Sequence, residues 1–498
     1  MKRALCLLAV WCAASAAGGC SGDAPSPPTA VAARPFAGRT IEIRTVQLGA
    51  AERWPLILTE FENEWGARTT FAEYARLPEL HTWGPRLFGS PPLDVPDPSA
   101  LLILPLEQLP EANLVPIPRD ERDGPAHDGS GGLAWSDLFS GLRNNVCSPG
   151  GDPTVIPLSA PVLVCYFRRD LLEAANLRPP ESWQEYQKLL DTLGDWAPGL
   201  TAVEPWGPTY RATTFLARAV GSARPAGQYS LFFDIETGEP LIDTPGFVRG
   251  LEQSLAALAR MPAEVRTYSP ADCRRELLAG RAALGIAFET PGEGGEFPIG
   301  PGWGLANASG AEDSSTEAGT VVAARPGRAE SVALGLVPLP GATEVYSRAR
   351  QSWLPPRDGA VNRVPLTGFA GMCAAVANQG DTDAQRPAWK LLARLAVQEF
   401  GAAFPEEVTT LCRTSQTDEP SRWAGRDLTA DEAAAHVAAV AESLRSPLLV
   451  AEIPVIGRER FREALTQALD GALAGTTSPA EALSAVAKDW RRILDEIG

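Results

Sequence analysis

Apolar and polar positions alternate between two periods along this chain, and the switch points predict its elements. Thr40 to Val46 (TIEIRTV) alternates and is rich in β-branched residues, which predicts a first strand. Glu52 to Trp65 carries Trp54, Ile57, Leu58, Phe61 and Trp65 at helical spacing, and Thr69 to Tyr74 reads as the next strand. Ser99 to Leu106 (SALLILPL) is an unbroken apolar run, the pattern of a strand buried on both faces. A second such run, Ala160 to Phe167, leads into a short helix that Asp170 can cap, with Leu171, Leu172 and Ala175 on one side. Pro179-Pro180 stops the chain, and Ser182-Trp183-Gln184-Glu185 is a capping box that opens a longer helix. Beyond it, Arg211 to Val220, Phe247 to Leu258 and Ala271 to Leu278 read as helices. Ala282 to Phe288 and Ala333 to Gly341 read as strands. Val361 to Ala377 is an extended return segment and Pro387 to Phe400 an amphipathic helix. Residues 401–446 have helical spacing, and two further helices, Glu459 to Leu473 and the one opened by Ser478-Pro479-Ala480-Glu481, close the chain. Strands alternating with helices predict an α/β protein.

With 498 residues, two lobes are expected rather than one core. The formal net charge of -17 repels polyanions, so nucleic acid is excluded as an expected partner. At the N-terminus Lys2 and Arg3 precede the apolar stretch Ala4 to Ala14, then Ser15-Ala16-Ala17-Gly18-Gly19-Cys20. That is the build of an export signal, too short to span a bilayer. The stretch resembles the lipobox of bacterial lipoproteins, which implies cleavage after residue 19, lipidation of Cys20 and a membrane attachment through lipid alone. An ordinary secretory signal is the alternative. Residues 20–38 read as a tether of small residues and prolines. Five cysteines remain, Cys147, Cys165, Cys273, Cys373 and Cys412, an odd number with no CxxC spacing. Pairing of Cys147 with Cys165, or of Cys373 with Cys412, stays open, as does burial of all five as thiols.

The crossover stretch Val155 to Leu193 resembles that of extracellular solute-binding proteins of the maltose-binding type, the capture subunits of ABC importers. The matching residues are Ile156-Pro157, Tyr166, Arg169-Asp170-Leu171, Ala175-Asn176-Leu177, Pro179-Pro180 and Trp183-Gln184-Glu185. Further segments follow in the family's order from Thr40 to Leu494. The resemblance implies a type II, two-lobed periplasmic-binding-protein fold with a ligand cleft and a hinge. Lobe one would be 39–158 with 367–445, and lobe two 159–366 with 446–498. It implies a monomer that holds a mono- or oligosaccharide and hands it to a permease, on the periplasmic or extracellular side. No cofactor, metal or catalytic residue is implied.

The same resemblance supplies candidate ligand contacts. Glu204-Pro205-Trp206 with Tyr210 resembles the family's "E-P-aromatic" loop, where a carboxylate accepts from two hydroxyls and a ring covers a pyranose face. Arg53 and Trp54 follow the first strand, at the end where α/β sheets place ligands. Phe288 and Trp303 follow the strand at 282–288, although the family's tryptophan soon after that strand is missing. Trp353, and Gly368 with Phe369 on the return segment, complete the set. Extra loops at 76–98, 119–132 and 292–330 depart from the family's pattern. Two other readings stand beside this one. A secreted glycoside hydrolase needs only a carboxylate pair, and 61 acids make proximity inevitable. A surface lipoprotein that binds without transport needs no permease. No GxSxG, HExxH, Walker A or GxGxxG motif is present, and His81, His127 and His436 stand alone.

Overall fold

The computed structural model describes residues 34–46, 54–74, 100–106, 114–123, 132–148, 151–289, 329, 331–357, 361–368, 371–377, 382–398 and 409–497. Two mixed sheets organise them. The first has the order β2-β1-β3-β12-β4, built from β1 (Thr40–Val46), β2 (Arg68–Tyr74), β3 (Ala100–Pro105), β4 (Val155–Ser159) and β12 (Met372–Val376). The second has the order β6-β7-β5-β8, from β5 (Val164–Arg168), β6 (Thr201–Val203), β7 (Ala282–Ala287) and β8 (Leu334–Pro338).

One strand in each sheet runs against its neighbours, and the reason is topological. β12 is antiparallel to β3 and β4, and β5 is antiparallel to β7 and β8. Each is the first strand after the chain passes from one sheet to the other. It therefore starts at the edge where its antiparallel neighbours end. The carboxyl ends of both sheets consequently face the crossing segments, and the space between the sheets is the cleft of a two-lobed α/β protein.

The expected strand from Ala160 to Phe167 is divided. Residues 160–163 form the first crossing and β5 begins at Val164. Pro161 has no N–H to give to a ladder, so the apolar run cannot pair from its start. The return segment divides likewise, into β11 (Leu366–Thr367) and β12. The short helix α3 (Arg169–Ala174) has Arg168, not Asp170, at its N-cap; Asp170 lies in the first turn and pairs with Arg168 Nε at 2.8 Å. Before β4 the chain makes a 3-10 turn, Trp135–Asp137, followed by α2 (Ser140–Asn145).

Around the second sheet pack α4 (Trp183–Asp191), α5 (Arg211–Ala223), α6 (Pro245–Leu258), α7 (Pro270–Leu278), α9 (Ala430–Arg445), α10 (Arg458–Leu473) and α11 (Pro479–Ile497). α1 (Trp54–Trp65) and α8 (Thr382–Ala393) belong to the first sheet's side. The capping box at Ser182 forms as its spacing predicts: Ser182 Oγ accepts from Glu185 N, and the Glu185 carboxylate accepts from Ser182 N. The final helix is locked by Trp490, whose Nε1 donates to Phe461 O at 2.8 Å while its ring stacks on Phe233.

α9 lies along β8 and its end meets α2. Ser140 Oγ donates to Arg445 O at 3.1 Å and Asn145 Nδ2 to Pro447 O at 3.2 Å. Between them Gly141 sits against the carbonyls of Leu444 and Ser446, where a methyl group would collide. Gly141→Ala is therefore expected to destabilise the fold by about 1–3 kcal/mol through overpacking. A shifted urea midpoint at unchanged slope checks this. An unchanged midpoint would mean that the two helices do not meet there.

Candidate functional site

Three segments cross between the lobes: 160–163, 364–368 and 449–452. The second and third pair as a short parallel ladder, β11 with β13 (Val450–Ala451). Val450 N donates to Pro365 O at 2.9 Å and Glu452 N to Thr367 O at 2.8 Å. Thr367 Oγ1 donates to Pro161 O at 3.0 Å, which ties the first crossing to the second. Ala160 N donates to Thr410 Oγ1 at 2.8 Å, and Met372 N to Ser159 Oγ at 2.9 Å. Gly368 has φ +94°, and a Cβ there would lie 3.2 Å from Glu452 N, so this close passage of two crossing segments favours glycine.

The third crossing ends on a buried charge network. Glu452 Oε1 accepts from Arg458 at 3.0 Å and from Arg462 Nε at 2.9 Å, and its Oε2 accepts from Thr213 Oγ1 at 2.7 Å. Arg458 Nε also donates to Glu452 O at 3.0 Å, and Arg462 reaches Thr209 O. Burial alone would raise the Glu452 pKa; Arg458 and Arg462 outweigh it and hold the carboxyl below its ordinary value. α5 and α10 are thus clamped to the hinge through one carboxylate. No local motif announced this. The only sequence trace is that Arg458 and Arg462 share helical spacing with Phe461 and Leu465, which puts both arginines on the apolar face of α10.

At the carboxyl end of β6, the Glu204-Pro205-Trp206 loop turns inward. Glu204 and Trp206 are both 0% exposed. Trp206 Nε1 donates to Glu204 Oε2 at 2.9 Å, and Arg218 donates to Oε1 at 2.5 Å. The Arg218 guanidinium lies over the Trp183 ring, 4.3 Å from its centroid. Both carboxylate oxygens are occupied, and the ring is enclosed. The resemblance implied a ligand contact for this pair; in the described arrangement it packs in the core of the second lobe, with Arg218 as the counter-charge of Glu204.

Tyr210 and Phe288 are brought together, with ring centroids 6.4 Å apart, at the adjoining carboxyl ends of β6 and β7. Glu289, next in sequence, accepts from Tyr166 Oη and from Arg274, each at 2.7 Å. Burial, and then the Glu289 charge, push the Tyr166 hydroxyl well above its ordinary pKa. Trp54 is buried at the start of α1 as part of the first core. Trp353 is on β10 (Ser352–Leu354), paired with β9 (Val345–Ser347). Its ring lies under Arg249, 3.2 Å from the guanidinium, and edge-on to Tyr346, so it belongs to a surface hairpin beside α6 rather than to the Tyr210–Phe288 pair. Arg53, Trp303, Phe369 and Cys20 lie outside the described residues.

The five cysteines of the described chain are buried free thiols. His436 is a buried imidazole on α9, its pKa pushed down to about 3 by burial and then by Arg274. Among the described residues no group of three or more His, Cys, Asp or Glu could hold a metal ion, and no helix is long and apolar enough to cross a membrane.

No protein-family model matches this chain, and no curated protein does. Solved structures do. The sugar-binding protein MalE of Xanthomonas citri superposes with a TM-score of 0.58 at 17% identity, over 92% of this chain and 98% of its own. An ABC transporter solute-binding protein of Agrobacterium radiobacter K84, in complex with ribitol, gives 0.56 at 16% identity over 92% and 100%. Maltose-bound MalE3 of T. maritima gives 0.55 at 16% identity over 91% and 100%. This chain has the two-lobed fold of maltose-binding-type periplasmic binding proteins.

Proposed function

We propose that this chain is an extracytoplasmic solute-binding lipoprotein that captures a small carbohydrate or polyol between its lobes and delivers it to an ABC permease. The observation that carries the reading is the topology. Two sheets turn their carboxyl ends toward each other across three hydrogen-bonded crossing segments, the arrangement in which rigid lobes close on a ligand about a hinge. Solved proteins of that fold hold maltose and ribitol. Gly368 at the hinge, with Tyr210 and Phe288 on lobe two, both of them buried in its core, are the described residues proposed nearest the ligand. Arg53, Trp303 and Phe369 are proposed from their sequence positions. Cys20 is proposed as the lipid attachment site, and the lobes are proposed to run 39–158 with 367–445 and 159–366 with 446–498, with α9 at the end of the first set lying against β8 of the second sheet as well as α2.

The reading assigns binding without chemistry. Three carboxylates, Glu204, Glu289 and Glu452, are each held by an arginine, which leaves none of the three to a glycosidic bond. A thermal-shift panel of maltose, maltotriose, ribitol, mannitol and spermidine tests the assignment, since a ligand bound only by the folded state raises the melting temperature. A dose-dependent rise with a sugar or polyol is expected. A rise with spermidine alone would overturn the carbohydrate assignment, and turnover of nitrophenyl glycosides would overturn the binding-protein reading.

A further inference from the structure

The chain enters the first lobe at the end away from the cleft. β1 begins at Thr40 and its carboxyl end faces the crossing segments, so residues 34–39 lie at the amino end of the sheet. The seven residues of β1 put about 23 Å between that end and the cleft.

The entry is fixed to the end of α1. Phe36 N donates to Trp65 O at 2.9 Å, and the Phe36 ring stacks on Trp65 with centroids 5.3 Å apart. Arg34 lies over Gly66, where a Cβ would come within 2.7 Å of the Arg34 Cβ, and Arg68 N donates to Arg39 O at 2.8 Å. These contacts gather Arg34, Arg39 and Arg68 on one end of the lobe. All three are exposed, and none pairs with a carboxylate among the described residues. The acids at the end of α1 are engaged elsewhere. Glu62 Oε1 accepts from Thr69 N and Oγ1 at 2.6 and 2.7 Å, and Glu64 pairs with Arg394 at 3.0 Å.

On a chain of net charge -17 this end is locally cationic. Phe36 and Trp65 are only partly buried, so an aromatic pair stands beside the arginines. Exposed guanidinium groups next to half-covered rings match a phospholipid headgroup layer, where phosphates take the forked donors and the rings meet the apolar boundary. We propose that this end of lobe one docks on an anionic phospholipid surface through Arg34, Arg39 and Arg68, which holds the cleft away from the bilayer. The proposal rests on the lipid-anchor reading of Cys20. Residues 20–33 span at most about 50 Å, so anchoring keeps the arginines within reach of the headgroups.

Neutron reflectometry of the full lipidated chain on supported bilayers tests it, at low salt, with phosphatidylglycerol present or with phosphatidylcholine alone. On phosphatidylglycerol the protein layer is expected to sit directly on the headgroups. On phosphatidylcholine a water layer, no thicker than the span of residues 20–33, is expected to separate them. Salt at about 1 M, where the Debye length is about 3 Å, is expected to open the same gap on phosphatidylglycerol. So is the combined substitution Arg34→Gln, Arg39→Gln and Arg68→Gln, at exposed positions and with the melting temperature unchanged. Equal spacing on the two lipids, or a triple variant that still sits on phosphatidylglycerol, would overturn the proposal and leave the lipid anchor in place. Protein that forms no layer on either bilayer would overturn the anchor reading and this proposal with it.

Discussion

Glu452→Ala is expected to destabilise the protein by about 3–5 kcal/mol, the cost of breaking a buried ion pair from one side. Its carboxylate is fully enclosed and is the counter-charge of both Arg458 and Arg462, which are themselves buried. Alanine leaves two guanidinium groups and the Thr213 hydroxyl facing an uncharged gap. Glu452→Gln keeps an acceptor and most of the packing, so its loss is smaller. The urea midpoints of the two variants, read at constant slope, separate charge from shape. The same group gives the fold a pH dependence of definite sign. The folded Glu452 carboxyl lies below its ordinary value, so the stability it contributes is complete above the unfolded pKa and is lost as pH falls through the folded one. Wild-type protein should lose stability on acidification over that window, and Glu452→Gln should lose less. Parallel acid profiles for the two proteins would contradict the assignment.

Glu204→Ala is expected to cost a comparable amount, again about 3–5 kcal/mol. Arg218 is 2% exposed and stacked on Trp183, so it cannot swing out to water when its partner is removed. Trp206 Nε1 loses its acceptor at the same time, which adds the penalty of a buried unpaired donor. This result also bears on function. If Glu204 serves the core, Glu204→Ala lowers stability with or without sugar by the same amount. If it contacted a ligand, the variant would keep its unliganded stability and lose the ligand-induced shift.

The elements were largely legible in the sequence, because local patterning fixes them. Thr40–Val46 is the first strand as its alternation predicts, and the Ser182–Glu185 box closes as written. The crossover order was legible too, through the matched residues between Ile156 and Glu185. What the pattern concealed is what depends on distant partners. Glu204 is engaged by Arg218, on the next helix, a partner that its own loop does not announce. The hinge clamp joins Thr213 to Glu452, 239 positions apart, and no spacing rule reaches that far. Pro161 was visible, yet the apolar run around it read as one strand; the residue without an N–H falls in the crossing, and β5 begins three positions later. Tyr210 and Phe288 were each singled out, but their meeting follows from the β6–β7 pairing, which no single segment encodes.

Small-angle scattering of the protein with and without saturating maltose, maltotriose, ribitol or mannitol tests the central claim most directly. Capture between two hinged lobes draws them together, so the radius of gyration should fall with the ligand that binds and stay constant with those that do not. A sugar or polyol that raises the melting temperature yet leaves the scattering curve superimposable on that of the free protein would contradict closure about the hinge.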